Sequence, residues 1–455
     1  MRTYLFGISK FFLILPAFAV FIVTRSTLFP FIVGKYVLFR TSVDVALIFF
    51  LLGLLFHDRA GMFLGRLRVT LRQPLVIAVT IFVLLFLLAG VFGVDPAASF
   101  WSNFERGEGG LQLLHLWLFL VLLITQFREE KDWRTMFWCV LIGGVLMALY
   151  GLFAGLDVSG FVGSRFSEES YRLQGSIGNP AYVAAYSIFM LFYAAYLLAS
   201  RPWHSQSLVA RIFLIALCAV FLAVFFAAAT RGAFLGLIIS ILAFFVYFSY
   251  LHAPWRKLLA LGGVVVILGA GALVYFRDTP VVKSLPGSRI FDISLSAETF
   301  RHRTYMWNMA WNGFKERPLL GWGPENYIHV FDRHFDTRYF DPERGFGAWF
   351  DRAHSIYFDY LVETGILGFL SFLSIFVIFF VSLLRCRKAS TSKAEEGYRQ
   401  MGYAEHGLCF ALPIAYLVQG IVLFDVFIIY INLFLFIAFA TYRFAHTRDF
   451  RLPRL

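Results

Sequence analysis

The chain has 455 residues, 60% of them hydrophobic and only 15% charged, with a formal net charge of +12 and a mean hydropathy of +0.73. An average soluble domain is roughly 45–50% apolar, so the composition excludes a soluble enzyme and calls for a polytopic membrane protein. The basic excess does not call for nucleic acid, because most of it sits in short connections between apolar runs, beside anionic lipid headgroups.

Apolar runs long enough to cross a ~30 Å hydrocarbon core are predicted about twelve times, over 8–24, 37–56, 75–94, 110–127, 135–154, 180–199, 211–229, 232–250, 258–276, 355–384, 405–424 and 426–442. Ala17-Phe18-Ala19 in the first run looks like a signal-peptide cleavage site. Apolar residues continue through Val23, so the run reads as an uncleaved helix. Alternate connections differ in basic content. Arg59, Arg66, Arg68 and Arg72, then Arg128, Lys131 and Arg134, then Arg385, Arg387, Lys388, Lys393 and Arg399 mark one side, with the tail arginines after Arg443. The other side holds only Arg25, Lys35, Arg40, Arg106, Arg165, Arg172 and Arg231 in its short segments. The positive-inside rule then places both termini in the cytoplasm and residues 277–354 outside. Cys139, Cys218, Cys386 and Cys409 fall in spans or on the inner side and imply neither a disulfide framework nor a Cys-rich metal site.

The chain reads as one membrane domain, 1–455, with Ser390 to Gly397 as a flexible cytoplasmic linker. At about 75 residues, the outer stretch 277–354 exceeds the ~12–15 residues expected of an unstructured connection, so it should carry structure of its own. Thr299 to Lys315, with Phe300, Tyr305, Trp307, Met309, Trp311 and Phe314 at helical spacing, predicts an amphipathic helix ended by Pro318, Gly321 and Gly323. Phe331 to Trp349 reads as a polar, aromatic-rich lid. Before it in the chain, Asn179 and Pro180 predict an N-cap and first helical turn at the outer surface.

Several residues here can carry chemistry. Arg231, in Ala229-Thr230-Arg231-Gly232-Ala233, is either a snorkelling interface arginine or an anion clamp. Arg303 shares a helical face with Trp307, and its guanidinium can fork onto phosphate oxygens or simply meet lipid; Arg301 is the substitute if the helix face is misassigned. His354, at the start of the tenth span, is a general base near neutral pH or a helix cap. Asp351 is positioned to orient its ring or raise its basicity, Arg352 to hold a phosphate, and Glu363 to find a partner inside the bundle. Gly321-Trp322-Gly323 either offers backbone N–H groups to a phosphate or makes a turn, Gly365 and Gly368 allow close helix approach, and Asp425 is a further wall residue. The histidines 302, 329, 334 and 354 show no zinc spacing, so neither a metal nor another cofactor is called for.

Thr230-Arg231-Gly232-Ala233, then Arg303-Thr304-Tyr305-Met306-Trp307 and Pro318-Leu319-Leu320-Gly321-Trp322-Gly323-Pro324-Glu325-Asn326-Tyr327, then Ala353-His354-Ser355 and Glu363-Thr364-Gly365-Ile366-Leu367-Gly368 form an ordered set. In this order the chain resembles the O-antigen ligase and polymerase superfamily of bacterial envelope glycosyltransferases, over about 165–425. Ser355 stands where the family pattern usually has Asn. The resemblance implies an all-α, GT-C-like membrane enzyme of the bacterial inner membrane. Such an enzyme moves a glycan from a polyprenyl (undecaprenyl) diphosphate to a lipid A-core type hydroxyl on the periplasmic face, without a metal and with inversion. Carried over by position, Arg231 and Arg303 grip the diphosphate, with Arg172 and Arg301 as further candidates, and His354 activates the acceptor. A repeat-unit polymerase, a protein O-oligosaccharyltransferase and, from another class, a lipid-linked sugar transporter remain open.

Overall fold

The computed structural model describes residues 4–56, 60–103, 105–154, 172–200, 206–285, 287–292, 298–340, 349–389 and 401–445. Every regular element among them is helical, as a bilayer demands of backbone that finds no water to bond with. The first half comprises α1 (Leu5–Ile14), α2 (Val33–Phe56), α3 (Ala60–Leu71), α4 (Pro74–Val91), α5 (Pro96–Trp101), α6 (Gly110–Gln126), α7 (Glu130–Ala154) and α8 (Pro180–Ala199). There follow α9 (Leu208–Ala228), α10 (Arg231–Leu251), α11 (Arg256–Tyr275), α12 (Pro280–Lys283) and α13 (Glu298–Glu316). The chain closes with α14 (Tyr327–Arg333), α15 (Ile356–Ala389), α16 (Tyr403–Gln419) and α17 (Phe427–Ala445). The expected linker 390–397 and Arg165 lie outside the described residues.

Among the described residues, nine helices are long and apolar enough to cross a membrane: α2, α4, α7, α8, α9, α10, α11, α15 and α17. The other three expected crossings fall on shorter helices. These are α1, which tightens into 3-10 turns over Leu15–Phe21, then α6, and α16, which carries Pro413 within it. Helix α3, bearing Arg66 and Arg68, occupies what the sequence presented as a plain connection. Helix α17 is buried along nearly its whole length against α6 and α8, whereas α11 leans mainly on α10 and exposes most of its apolar surface.

The two sets of connections converge on opposite ends of the bundle. At one end Lys10 meets Asp132, and Arg134 reaches Ser200. At the other, Arg106 meets Asp351, Ser99 bonds the Pro324 carbonyl, Arg172 bonds Thr230, and Arg231 meets Asp292. Asn179 caps α8 through the Ala181 amide at 2.9 Å, with Pro180 in the first turn, as its residue types require.

Residues 298–340 and 349–362 build a small core of their own from Met306, Met309, Trp322, Tyr327, Phe331 and Ala353. Helix α13 runs as its apolar spacing predicts. Of the expected lid, α14 and a 3-10 turn at Thr337–Tyr339 are described, while 341–348 lie outside the described residues.

The tenth span is not the continuous helix its apolar run predicts. Gly365 breaks it at φ 62°, ψ −171°, a conformation available essentially to glycine alone. The break lets the Pro318–Gly323 turn dock along the helix. Ile366 N–H donates to the Pro318 carbonyl at 2.8 Å, Trp322 N–H to Val362 at 2.9 Å and Gly323 N–H to Glu363 at 2.9 Å. The expected close helix approach at Gly365 is thus a turn-on-helix junction. The same bonds use up the Trp322 and Gly323 amides, so Gly321-Trp322-Gly323 is a structural turn.

Candidate active site

His354 sits in the connection that enters α15. Ile356 N–H, the first of that helix, reaches the carbonyls of Gly420 at 3.0 Å and Leu423 at 3.1 Å, and Ala353 N–H donates to Asp359 at 2.6 Å. Between these ties His354 is held at φ 59°, in the left-handed region. Its ring lies between the edges of Phe350 and Phe424, at centroid distances of 4.8 and 5.0 Å. Nδ1 lies 3.1 Å from the Arg352 carbonyl. A carbonyl only accepts, so Nδ1 carries the proton and Nε2 presents a lone pair. Burial pushes the His354 pKa down to about 4, helped by Arg303 and Arg106 and opposed by the Arg352 carbonyl and Asp351. At neutral pH the ring is therefore uncharged.

Asp351 does not orient that ring. Arg106, on the connection before α6, takes both its oxygens at 2.8 and 2.9 Å. Burial disfavours the charged carboxylate, yet this fork holds Asp351 below the usual range. The same guanidinium lies 5.0 Å from the Phe424 ring, so Arg106 braces one wall of the histidine.

Nor can Arg352 hold a phosphate. It is buried, with Nη1 on Glu363 at 2.9 and 3.2 Å, Nη2 on Glu325, and Glu108 at 3.5 Å. Burial works against its charge, but these carboxylates hold it fully protonated. Glu363 thus has its partner inside the bundle. Asp359 and Asp425 line the same polar cavity of about 20 Å³, room for about one water. Asp425 accepts hydrogen bonds from Tyr416 at 2.6 Å and Tyr360 at 3.3 Å, and burial pushes its pKa up to about 6.

The second group is basic. Arg231 opens α10 beside Ala229, itself at φ 47°, and reaches Asp292 at 2.5 Å and the Arg289 carbonyl at 3.3 Å. Arg172 donates to the Ala228 carbonyl at 3.0 Å and to Thr230 at 2.9 Å. Burial, then Arg289 and Arg231, push its pKa down to about 10. Arg303 is lowered by burial and by Arg231. Four guanidiniums, Arg172, Arg231, Arg289 and Arg303, therefore crowd one region, and Arg303 also bears on His354. Among the described residues the carboxylate in direct contact with this group is Asp292, which Arg277 also approaches at 3.7 Å. Arg301, two residues from Arg303, is exposed on the opposite side of α13 and takes no part.

Arg289 escaped the sequence reading because no motif surrounds it. The signal was Gly287, at φ 74°, where a Cβ would run into the Phe226 carbonyl, so that the turn bearing Arg289 seats on the end of α9. Arg106, Glu108 and Glu325 were equally hidden, being ordinary loop charges until the chain folds.

A group of arginines beside a neutral histidine with a free lone pair can bind a polyanion and remove a proton from a nearby hydroxyl. Residues 216–373 match the O-antigen ligase family. That family comprises O-antigen ligase and polymerase-type membrane enzymes that work on lipid-linked glycans. The matched region contains Arg231, Arg289, Arg303, Glu325, Arg352, His354 and Glu363, while Arg106, Glu108 and Arg172 precede it and Asp425 follows it. No curated protein matches the chain.

Proposed function

Starting from a membrane protein that carries an O-antigen ligase domain over residues 216–373, we propose that it moves a glycan from a polyprenyl diphosphate carrier to an acceptor hydroxyl, ligase-fashion, on the outer face of the bacterial cytoplasmic membrane. The observation that carries the proposal is the group Arg172, Arg231, Arg289 and Arg303 placed beside an uncharged His354. With α1 and its extension, α6 and α16 also crossing, twelve spans put both termini in the cytoplasm. The 277–354 stretch, on the less basic side, then faces out.

In the reaction, His354 Nε2 takes the acceptor proton as the acceptor oxygen attacks the anomeric carbon. The bond from that carbon to the diphosphate oxygen breaks, and the electron pair leaves with the diphosphate. Negative charge grows on the leaving group, where forked guanidinium donors stabilise it more than they stabilise the bound substrate. Direct displacement inverts the anomeric centre. The arginines supply the positive charge, so the proposal requires no metal. Diphosphate binding offsets Arg303, one of the charges that depress His354, and so raises the basicity of the ring when donor is present.

The test is transfer in nanodiscs containing a polyprenyl-diphosphate glycan and candidate acceptors, with EDTA present, for wild type, His354→Ala, Arg231→Ala and Arg303→Ala. Transfer that survives chelation and collapses in all three variants supports the reading. Transfer lost only on chelation would redirect attention to metal ligands. Wild type that moves the labelled lipid across the bilayer without altering it is a transporter. Among acceptors, a lipid-borne core separates a ligase from a polymerase, which extends lipid-linked repeat units, and from an enzyme that glycosylates protein.

A further inference from the structure

We propose that Glu325 and Ser102 are positioning residues for His354, acting through Arg352. This rests on the reading of His354 as the base.

One peptide group, that between Arg352 and Ala353, joins the ring to this network. Its carbonyl accepts from His354 Nδ1 at 3.1 Å and so fixes which ring nitrogen faces the acceptor. Its N–H donates to Asp359 at 2.6 Å. The Arg352 Cα anchors one end of this peptide, and the Arg352 side chain is held by acids from three separate segments. Glu108 comes from the connection before α6, Glu325 from the turn after α13, and Glu363 from α15. Glu325 is itself held by the Ser102 hydroxyl at 2.7 Å. A continuous line of contacts thus runs from Ser102 through Glu325 and Arg352 to the imidazole.

Backbone strain follows the same line. Among the described residues, four that are not glycine have positive φ: Ser102 at 63°, Ala229 at 47°, Glu325 at 65° and His354 at 59°. Three of the four belong to this line. Such conformations persist only where surrounding contacts over-determine them, and nothing in the local sequence asks for them. The contacts that over-determine His354 are the Asp359 bond, the Arg352 lock and the tie of Ile356 to the loop after α16.

The test separates positioning from general support of the fold. Donor affinity and turnover are measured for wild type, Glu325→Gln, Ser102→Gly, His354→Ala and the Ser102→Gly/His354→Ala pair. Glycine suits the positive φ at position 102, so the bond to Glu325 is lost without backbone strain and folding is spared. The expected result is turnover about tenfold lower in Glu325→Gln and Ser102→Gly, donor affinity within about twofold of wild type, and a double variant no slower than His354→Ala. Affinity falling in step with turnover, a double variant about tenfold below His354→Ala, or wild-type turnover in Ser102→Gly would each overturn the proposal. Wild-type turnover in His354→Ala would instead overturn the assignment of the base.

Discussion

Replacing Arg352 and replacing Glu363 should have very different consequences, although the two residues are ion-pair partners. Arg352→Met leaves Glu325, Glu363 and Glu108 buried without their shared cation, the first two having been in direct contact with it. Breaking a buried pair from one side costs about 3–5 kcal/mol, and the loss of contact to both Glu325 and Glu363 puts this case at the upper end, more than about a thousandfold in the folded-to-unfolded ratio. Glu363→Gln behaves otherwise. The amide oxygen still accepts from Nη1, Glu325 still balances the guanidinium, and one acid leaves a crowded cluster, so the cost is about 1 kcal/mol or less. Combining Arg352→Met with Glu325→Gln and Glu363→Gln should recover most of the lost stability without recovering transfer, since the peptide that orients His354 is no longer anchored. Equilibrium unfolding in mixed detergent and SDS micelles reads all three. Equal unfolding midpoints for Arg352→Met and Glu363→Gln would refute the idea that one arginine neutralises the whole cluster.

Three further outcomes are expected. The acid limb of kcat/KM, which reports the free enzyme, should lie near the His354 value of about 4 rather than 6.5, and Arg303→Gln should move it upward by removing a nearby positive charge; a wild-type limb at 6.5 would mean the ring is not desolvated. Burial pushes Glu108 up to about 8 from an ordinary 4.5, with Arg352 pulling down and Glu325 pushing up. A group raised on folding contributes stability that is complete below its unfolded pKa and lost as pH rises through the folded one. Wild type should therefore lose stability between about pH 4.5 and 8, and Glu108→Gln should flatten that slope in unfolding measured against pH. Gly365→Ala should cost several kcal/mol or abolish folding, because a side chain is strained at φ 62° and its Cβ would strike the Leu319 carbonyl. Poor recovery of the variant in detergent checks this, and normal stability would contradict the docked-turn geometry.

Much of this architecture could be read from the residues alone, for definite physical reasons. Spans such as α9 and α10 were legible because lipid imposes one solution on a long apolar run. Asn179-Pro180 and the 298–316 helix were legible because caps and amphipathic spacing are local properties. The break at Gly365 was not, since a glycine within an apolar run serves equally well as a packing contact, and only the docked Pro318–Gly323 turn decides between them. At the site, Arg231 stood out as an isolated charge at the edge of an apolar run, His354 as the last titratable side chain before one, and Arg303 by the helical face it shares with Trp307.

The contacts of Asp351 and Arg352 were hidden for the opposite reason. Both sit in a polar stretch, where any charge passes for solvated, and their real partners are remote: Arg106 is 245 positions from Asp351 in the chain, and Glu108 comes from the same distant connection. Sequence spacing cannot tell a guanidinium kept for an incoming phosphate from one already neutralised by the protein, yet that distinction governs which residues act on substrate. Arg352 is ringed by buried acids and engaged by Glu325 and Glu363, so its charge is already balanced within the protein. Among the described residues Arg172, Arg231, Arg289 and Arg303 share one contacting acid, Asp292, which is why the proposed diphosphate site is put there. The division of labour follows from this imbalance. Among the described residues, the acid-rich cluster holds a backbone still, and the group with a single contacting acid is the one proposed to meet the diphosphate.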